Sequence, residues 1–152
     1  MYEEYTTQAL PSKKYRELLG TCFCVFNSNN NFVIENILRL DKDKDKDKKY
    51  SWHILIDKET GQLLDDVKQT INQISGLEIA DRFYEVMEMR NRLVRSYQVS
   101  AEECDVSDDE DNQILATKYS NGKQEYITED FLFYFIDKNK ELSERLYELR
   151  DL

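Results

Sequence analysis

The stretch Met87–Val99, MEMRNRLVRSYQV, decides how the rest of the chain is read. Counted back from it, Ile79, Phe83, Met87, Val94 and Tyr97 recur in steps of three and four or their sum, the rhythm of one helical face, and Arg90 falls on that same rhythm. The spacing predicts an amphipathic helix from about Leu77 to Tyr97. A guanidinium on an apolar face must be paired and hydrogen-bonded or it costs several kcal/mol, on the order of a large single mutation. Arg90 therefore either snorkels past Met87 and Val94 to Glu85, Glu88 or a carboxylate of another helix, or it receives an anion. Asn91, Arg92 and Arg95 crowd the same few residues, a composition suited to phosphate.

Upstream of this stretch, Thr60-Gly61 opens a helix with Leu63, Leu64, Val67, Ile71 and Ile74 on one face and Gly76 as its stop. The short connection to the next helix implies antiparallel neighbours. Further back, Pro11-Ser12 suits the first turn of a long first helix, whose core-facing positions step through Tyr15, Leu19, Cys22, Phe26, Asn29, Val33, Ile37 and Leu40. That register survives the asparagine-rich break Asn27–Asn31, so one continuous helix of about thirty residues is expected, with Asn29 facing inward. A buried amide needs partners, and an Arg or Asn at the end of the third helix is the expected one. Asn27, Asn30 and Asn31 are accordingly candidates for a pocket shared with Arg90, Asn91 and Tyr97.

Between these helices, residues 41–49, DKDKDKDKK, have nothing apolar to bury and read as a solvated low-complexity loop. The segment from Tyr50 to Ile56 carries His53, the chain's single histidine and its one conventional general base. Downstream, residues 100–112 hold seven acids and read as an exposed loop. Residues 113–127 carry a hairpin signal: QILATKY and QEYI flank SNGK, with Asn121-Gly122 expected at the centre of a two-residue turn. That register sets Lys118 opposite Glu125 and Thr117 opposite Tyr126. Thr128 then caps a last helix whose buried stripe is Phe131, Phe135, Leu142, Leu146 and Leu149.

Four glycines and one proline in 152 residues, with recurrent helical spacing, predict a mainly α fold: a single domain over residues 1–152, an up-and-down bundle of about four to five helices with a small β-hairpin before the last. The net charge of -10 repels free nucleic acid at long range, which disfavours RNA as a partner and favours a basic protein. Cys22, Cys24 and Cys104 have no disulfide or zinc spacing, so neither a disulfide framework, a metal nor another cofactor is expected. With no membrane-length apolar run and an acidic start, MYEEYTTQ, the expected location is the cytoplasm.

Arg90-Asn91, three residues and then Arg95, near the end of an apolar helix, resembles the R-N-x-x-x-H signature of HEPN (higher eukaryotes and prokaryotes nucleotide-binding) domains. The family's usual RNRhhHSF, with h apolar, is matched at Arg90, Asn91, Arg92, Leu93, Val94 and Ser96, and the likeness extends over most of the chain, from about Tyr2 to Leu152. The resemblance implies an all-α domain that pairs into a homodimer, bringing two motifs to one cleft, in bacterial or phage defence, counter-defence or toxin systems. It also implies metal-independent RNA cleavage in which a His moves the proton and the Arg stabilises the phosphoryl oxygens.

In this chain the His position is Arg95, and a guanidinium binds phosphate but does not shuttle protons near neutral pH. On a continuous helix Arg90 and Arg95 would also lie about 140° apart. The expectation is thus a HEPN-like homodimer with a degenerate ribonuclease site at Arg90, Asn91 and Arg95, acting in binding or regulation. The alternatives are an active metal-independent ribonuclease, with His53 or Asn91 and Tyr97 in altered roles, and an acidic mimic of nucleic acid that inhibits a basic protein.

Overall fold

The computed structural model describes residues 4–41, 50–75, 78–100 and 113–149. Residues 42–49 of the Asp-Lys run, the Gly76 stop and residues 101–112 of the acidic loop lie outside them. The fold is mainly helical, with a small antiparallel sheet before the last helix. Among the described residues, no helix is long and apolar enough to cross a membrane.

Helix α1 spans Lys13–Leu40 without a break at the asparagines. Ser12 is its cap, accepting at Oγ from the Tyr15 N–H at 3.1 Å, so Pro11 precedes the cap instead of sitting in the first turn. Asn29 is buried in its core-facing slot, but its partner differs from the expected one. Its Nδ2 donates to the backbone oxygen and Oδ1 of Asn139, at 2.8 and 3.0 Å, on the last helix and not at the end of the third.

Helix α2 (Trp52–Asp57) is capped by Ser51, and α3 (Thr60–Gln69) starts on a capping box between Glu59 and Gln62. The expected single helix to Ile74 is divided at Thr70: its hydroxyl donates to the Asp66 oxygen at 2.7 Å, a back-bond that bends helices, and Asn72–Ser75 follows as a separate turn, α4. Helix α5 spans Glu78–Val94, with Glu78 and Asp81 in its first turn. The chain then runs through β1 (Ser96–Ser100), β2 (Gln113–Lys118), β3 (Gln124–Ile127) and helix α6 (Glu129–Glu148). Thr128 caps α6 as expected, accepting from the Phe131 N–H at 3.1 Å. The buried stripe is Leu132, Phe135, Asn139, Leu142, Leu146 and Leu149, with Phe131 half-buried at its edge.

The sheet has the order β1-β2-β3, so the expected hairpin gains a third strand. Its register is one residue from the expected one: Thr117 faces Glu125 and Lys118 faces Gln124. The turn is the reason. Tyr119 N–H donates to the Lys123 oxygen at 2.8 Å and Gly122 N–H to the Tyr119 oxygen at 2.9 Å, enclosing three residues instead of two. Gly122 closes this loop at φ +90°. A side chain there would meet open space yet still be held in a left-handed backbone, so Gly122→Ala is expected to destabilise by about 1 kcal/mol in urea unfolding. An unchanged midpoint would mean that the loop adopts another turn at no cost.

Two compact units divide the chain, and α1, α5 and α6 each contribute to both. The first comprises residues 1–24 and 89–136. Its core holds Tyr15, Cys22, Leu93, Ile114, Ala116, Ile127, Leu132 and Phe135. The Cys22 thiol donates to the Leu132 oxygen at 3.5 Å, and burial pushes its pKa up to about 12. The second unit comprises residues 25–88 and 137–152. It is packed around Phe26, Ile34, Ile37, Leu63, Val67, Phe83, Leu142 and Leu146. On its surface Arg82 bridges Glu78 at 3.2 Å and Glu141 at 2.7 Å. Half-buried Lys58 pairs with Asp66 at 2.6 Å.

Candidate functional site

The buried face of α5 carries Ile79, Ala80, Phe83, Val86, Met87 and Leu93. Arg90 lies between Met87 and Leu93 in this rhythm and is half-buried. Val94 and Tyr97, expected on the stripe, are instead 54% and 38% exposed. The helix ends at Val94, three residues before the expected end. Arg95 N–H still donates to the Asn91 oxygen at 3.1 Å, and the Ser96 hydroxyl satisfies the Leu93 carbonyl at 2.7 Å. Beyond that, Ser-Tyr-Gln-Val-Ser alternates polar and apolar residues and pairs with β2 over its whole length. Arg95 is therefore an exposed turn residue, and the 140° separation from Arg90 expected along a helix does not apply.

These four candidate residues thus come from three local structures: Arg90 and Asn91 from the last turn of a helix, Arg95 from the turn after it and Tyr97 from an edge strand. Residues 90–100 and 113–123 carry five cations, Arg90, Arg92, Arg95, Lys118 and Lys123, and no carboxylate, while residues 101–112 between them in sequence hold seven acids.

Tyr119, at the start of the hairpin turn, is the hub of the cluster. The Arg92 guanidinium carbon lies 5.2 Å and Lys123 Nζ 5.9 Å from the centre of its ring, both within cation–π range. Arg92 Nη1 donates to the Lys118 carbonyl at 3.3 Å, while its Nε is buried without a hydrogen-bond acceptor among the described residues. The Tyr119 hydroxyl donates to Glu125 Oε2 at 2.6 Å. That acceptor is the main reason the phenol is held above its ordinary pKa; burial adds to it and Arg92 opposes it. Glu125 is thereby engaged by a neutral phenol, and the guanidinium and ammonium groups give the cluster its sign. Tyr97 reaches across the sheet, its hydroxyl donating to Gln124 Oε1.

The remaining candidates belong to the second unit. Asn27 and Asn31 are exposed and Asn30 is half-buried on α1. Trp52 Nε1 donates to Asn31 Oδ1 at 3.4 Å, and the exposed His53 ring stands edge-on to Trp52, with centroids 5.3 Å apart. Among the described residues no group of His, Cys, Asp and Glu could hold a metal ion. Tyr119 and Lys123 are not among the site residues expected from sequence, and Arg92 enters there only within the phosphate-suited run; the signal is an aromatic residue and a lysine flanking a tight turn, which becomes meaningful once the turn folds back toward Arg92.

Comparison with protein-family models, with curated proteins and with solved structures finds no match for this chain.

Proposed function

We propose that this chain is a HEPN-like binding or regulatory module with a degenerate ribonuclease site, in which the cationic cluster of the first unit holds phosphates of single-stranded RNA. The observation that carries this reading is the setting of two cations, Arg92 and Lys123, against the Tyr119 ring, with Arg92 Nε buried and lacking a hydrogen-bond acceptor among the described residues. Phosphate contacts from arginine and lysine supply most nucleic-acid affinity, and an exposed aromatic neighbourhood suits unpaired bases. The overall negative charge opposes the approach of RNA, but beyond about 8–10 Å such repulsion is largely screened at physiological salt. The same reading includes pairing with a second copy of the chain, a cytoplasmic setting and a role in bacterial or phage defence or counter-defence. With arginine at the position of the proton-transfer residue, the reaction lacks its general base and acid, while phosphate binding is retained.

Two measurements test this. Fluorescence anisotropy with a labelled single-stranded RNA is expected to show binding whose logarithmic salt slope is about -2, as for three neutralised phosphates. Arg92→Ala should weaken that binding about tenfold or more, the worth of a charge-assisted hydrogen bond. Absence of binding at low salt would reject the proposal. In EDTA, a mixed RNA pool is expected to survive the native chain, Arg90→Ala and His53→Ala. Cleavage by the native chain that disappears with Arg90→Ala would replace the binding role with the ribonuclease one. Cleavage gained only by Arg95→His would attribute the silence of the native chain to that single position.

A further inference from the structure

One face of the sheet carries Tyr97, Ala116 and Tyr126 in a row across the three strands, with Lys118 and Gln124 as the facing pair beside them. Residues directly opposite one another in a ladder share a face, so these side chains stand together. A groove of about 290 Å³ lies there, lined by Val99, Ala116, Gln124, Glu125 and Tyr126. The methyl of Ala116 leaves its floor low, and Tyr126, 38% exposed, supplies an accessible aromatic ring. Tyr97 pins the Gln124 amide by donating to its Oε1, leaving the amide's NH₂ as donor. Glu125, between Gln124 and Tyr126 and so alternating to the other face, accepts the Tyr119 hydroxyl at 2.6 Å.

Small-molecule pockets span roughly 300–1,000 Å³, so this groove matches a single flat ring system and not an extended ligand. Lys118 is exposed on the same face, directly opposite Gln124, which calls for an occupant whose connecting backbone is anionic. Peptide backbone brings no such charge; a phosphodiester does. We infer that this groove holds one unpaired nucleobase of a single-stranded RNA, stacked on Tyr126 over Ala116 with its edge at the Gln124 amide and a phosphate at Lys118. The inference rests on the RNA-binding reading above and adds a base-recognition site to it.

The test compares a fluorescein-labelled oligoadenylate with a ribose-phosphate oligomer of the same length and charge that lacks bases, using anisotropy on the full chain. The native protein is expected to bind the oligoadenylate about tenfold more tightly, the value of one stacked base. Ala116→Leu, which fills the groove, and Tyr126→Ala, which removes the stacking ring, should each reduce the oligoadenylate to the affinity of the abasic oligomer and leave abasic binding unchanged. Equal affinity of the native chain for both oligomers would overturn the base site while leaving the phosphate site standing. So would a tenfold preference that survives in folded variants. Failure of the native chain to bind either oligomer would remove the RNA-binding reading and this site with it. Ala116 is buried, so if its variant does not fold by circular dichroism, the exposed Tyr126→Ala decides alone.

Discussion

Tyr15→Phe is expected to cost about 2–4 kcal/mol of folding stability, although it removes a single oxygen atom. That oxygen stands between facing residues of two strands, donating to the Ile127 carbonyl at 2.5 Å and accepting from the Leu115 N–H at 3.1 Å. Phenylalanine would leave both backbone groups without this partner in a site where Tyr15 is 3% exposed, and each buried unsatisfied group costs about 1–3 kcal/mol. Urea unfolding measures the loss; a change below about 0.5 kcal/mol would show that the strands close directly on each other once the hydroxyl is gone. The same phenol gives the protein an alkaline limit. Burial pushes its pKa up to about 12, partly offset by the hydrogen bond from Leu115. Because the folded phenol keeps a proton that the unfolded chain releases from an ordinary value of 10.0, stability holds below pH 10 and falls between about pH 10 and 12. Tyr15→Phe should flatten that part of the profile. The part from Cys22, whose window opens at its ordinary value of 9.0, should remain.

The second large effect is expected at Phe83, where replacement by Ala should destabilise by about 3–5 kcal/mol through lost burial and the cavity left behind. Phe83 is fully buried in the second unit, with Ile79, Ala80, Val86 and Met87 on the same helical face. Its sequence neighbour Tyr84 is 50% exposed, and Tyr84→Ala should change stability by less than about 0.5 kcal/mol. The pair of variants, compared by urea midpoint, tests which face of α5 is inside. Equal costs at both positions would contradict the orientation described here.

What could be read from sequence was whatever depends on periodicity. The continuous first helix, the inward-facing Asn29, the cap at Thr128 and the two strands around Asn121-Gly122 all follow from spacing and turn chemistry. Periodicity could not identify the end of α5, because Val94 and Tyr97 keep helical spacing by coincidence while Ser96–Ser100 alternates as a strand. Nor could it fix the hairpin register, which depends on whether two or three residues close the turn. The inward position of Asn29 requires a partner, but several amides elsewhere in the chain are chemically able to serve, and spacing does not select Asn139. The cluster around Tyr119 depends on the same register, and so was hidden with it.

The bonds that seat α1 in the two units reach far along the chain: 112 residues separate Tyr15 from Ile127 and 110 separate Asn29 from Asn139. During synthesis the apolar and amide face of α1 must wait for those partners, about 5–20 s at ordinary elongation rates of roughly 5–20 residues per second. Pairing across so long a stretch of sequence delays the burial of this face and leaves an apolar nascent segment exposed. A pulse-labelled chain should therefore acquire protease resistance only after α6 has left the ribosome, and shorter nascent chains should be natural clients of chaperones.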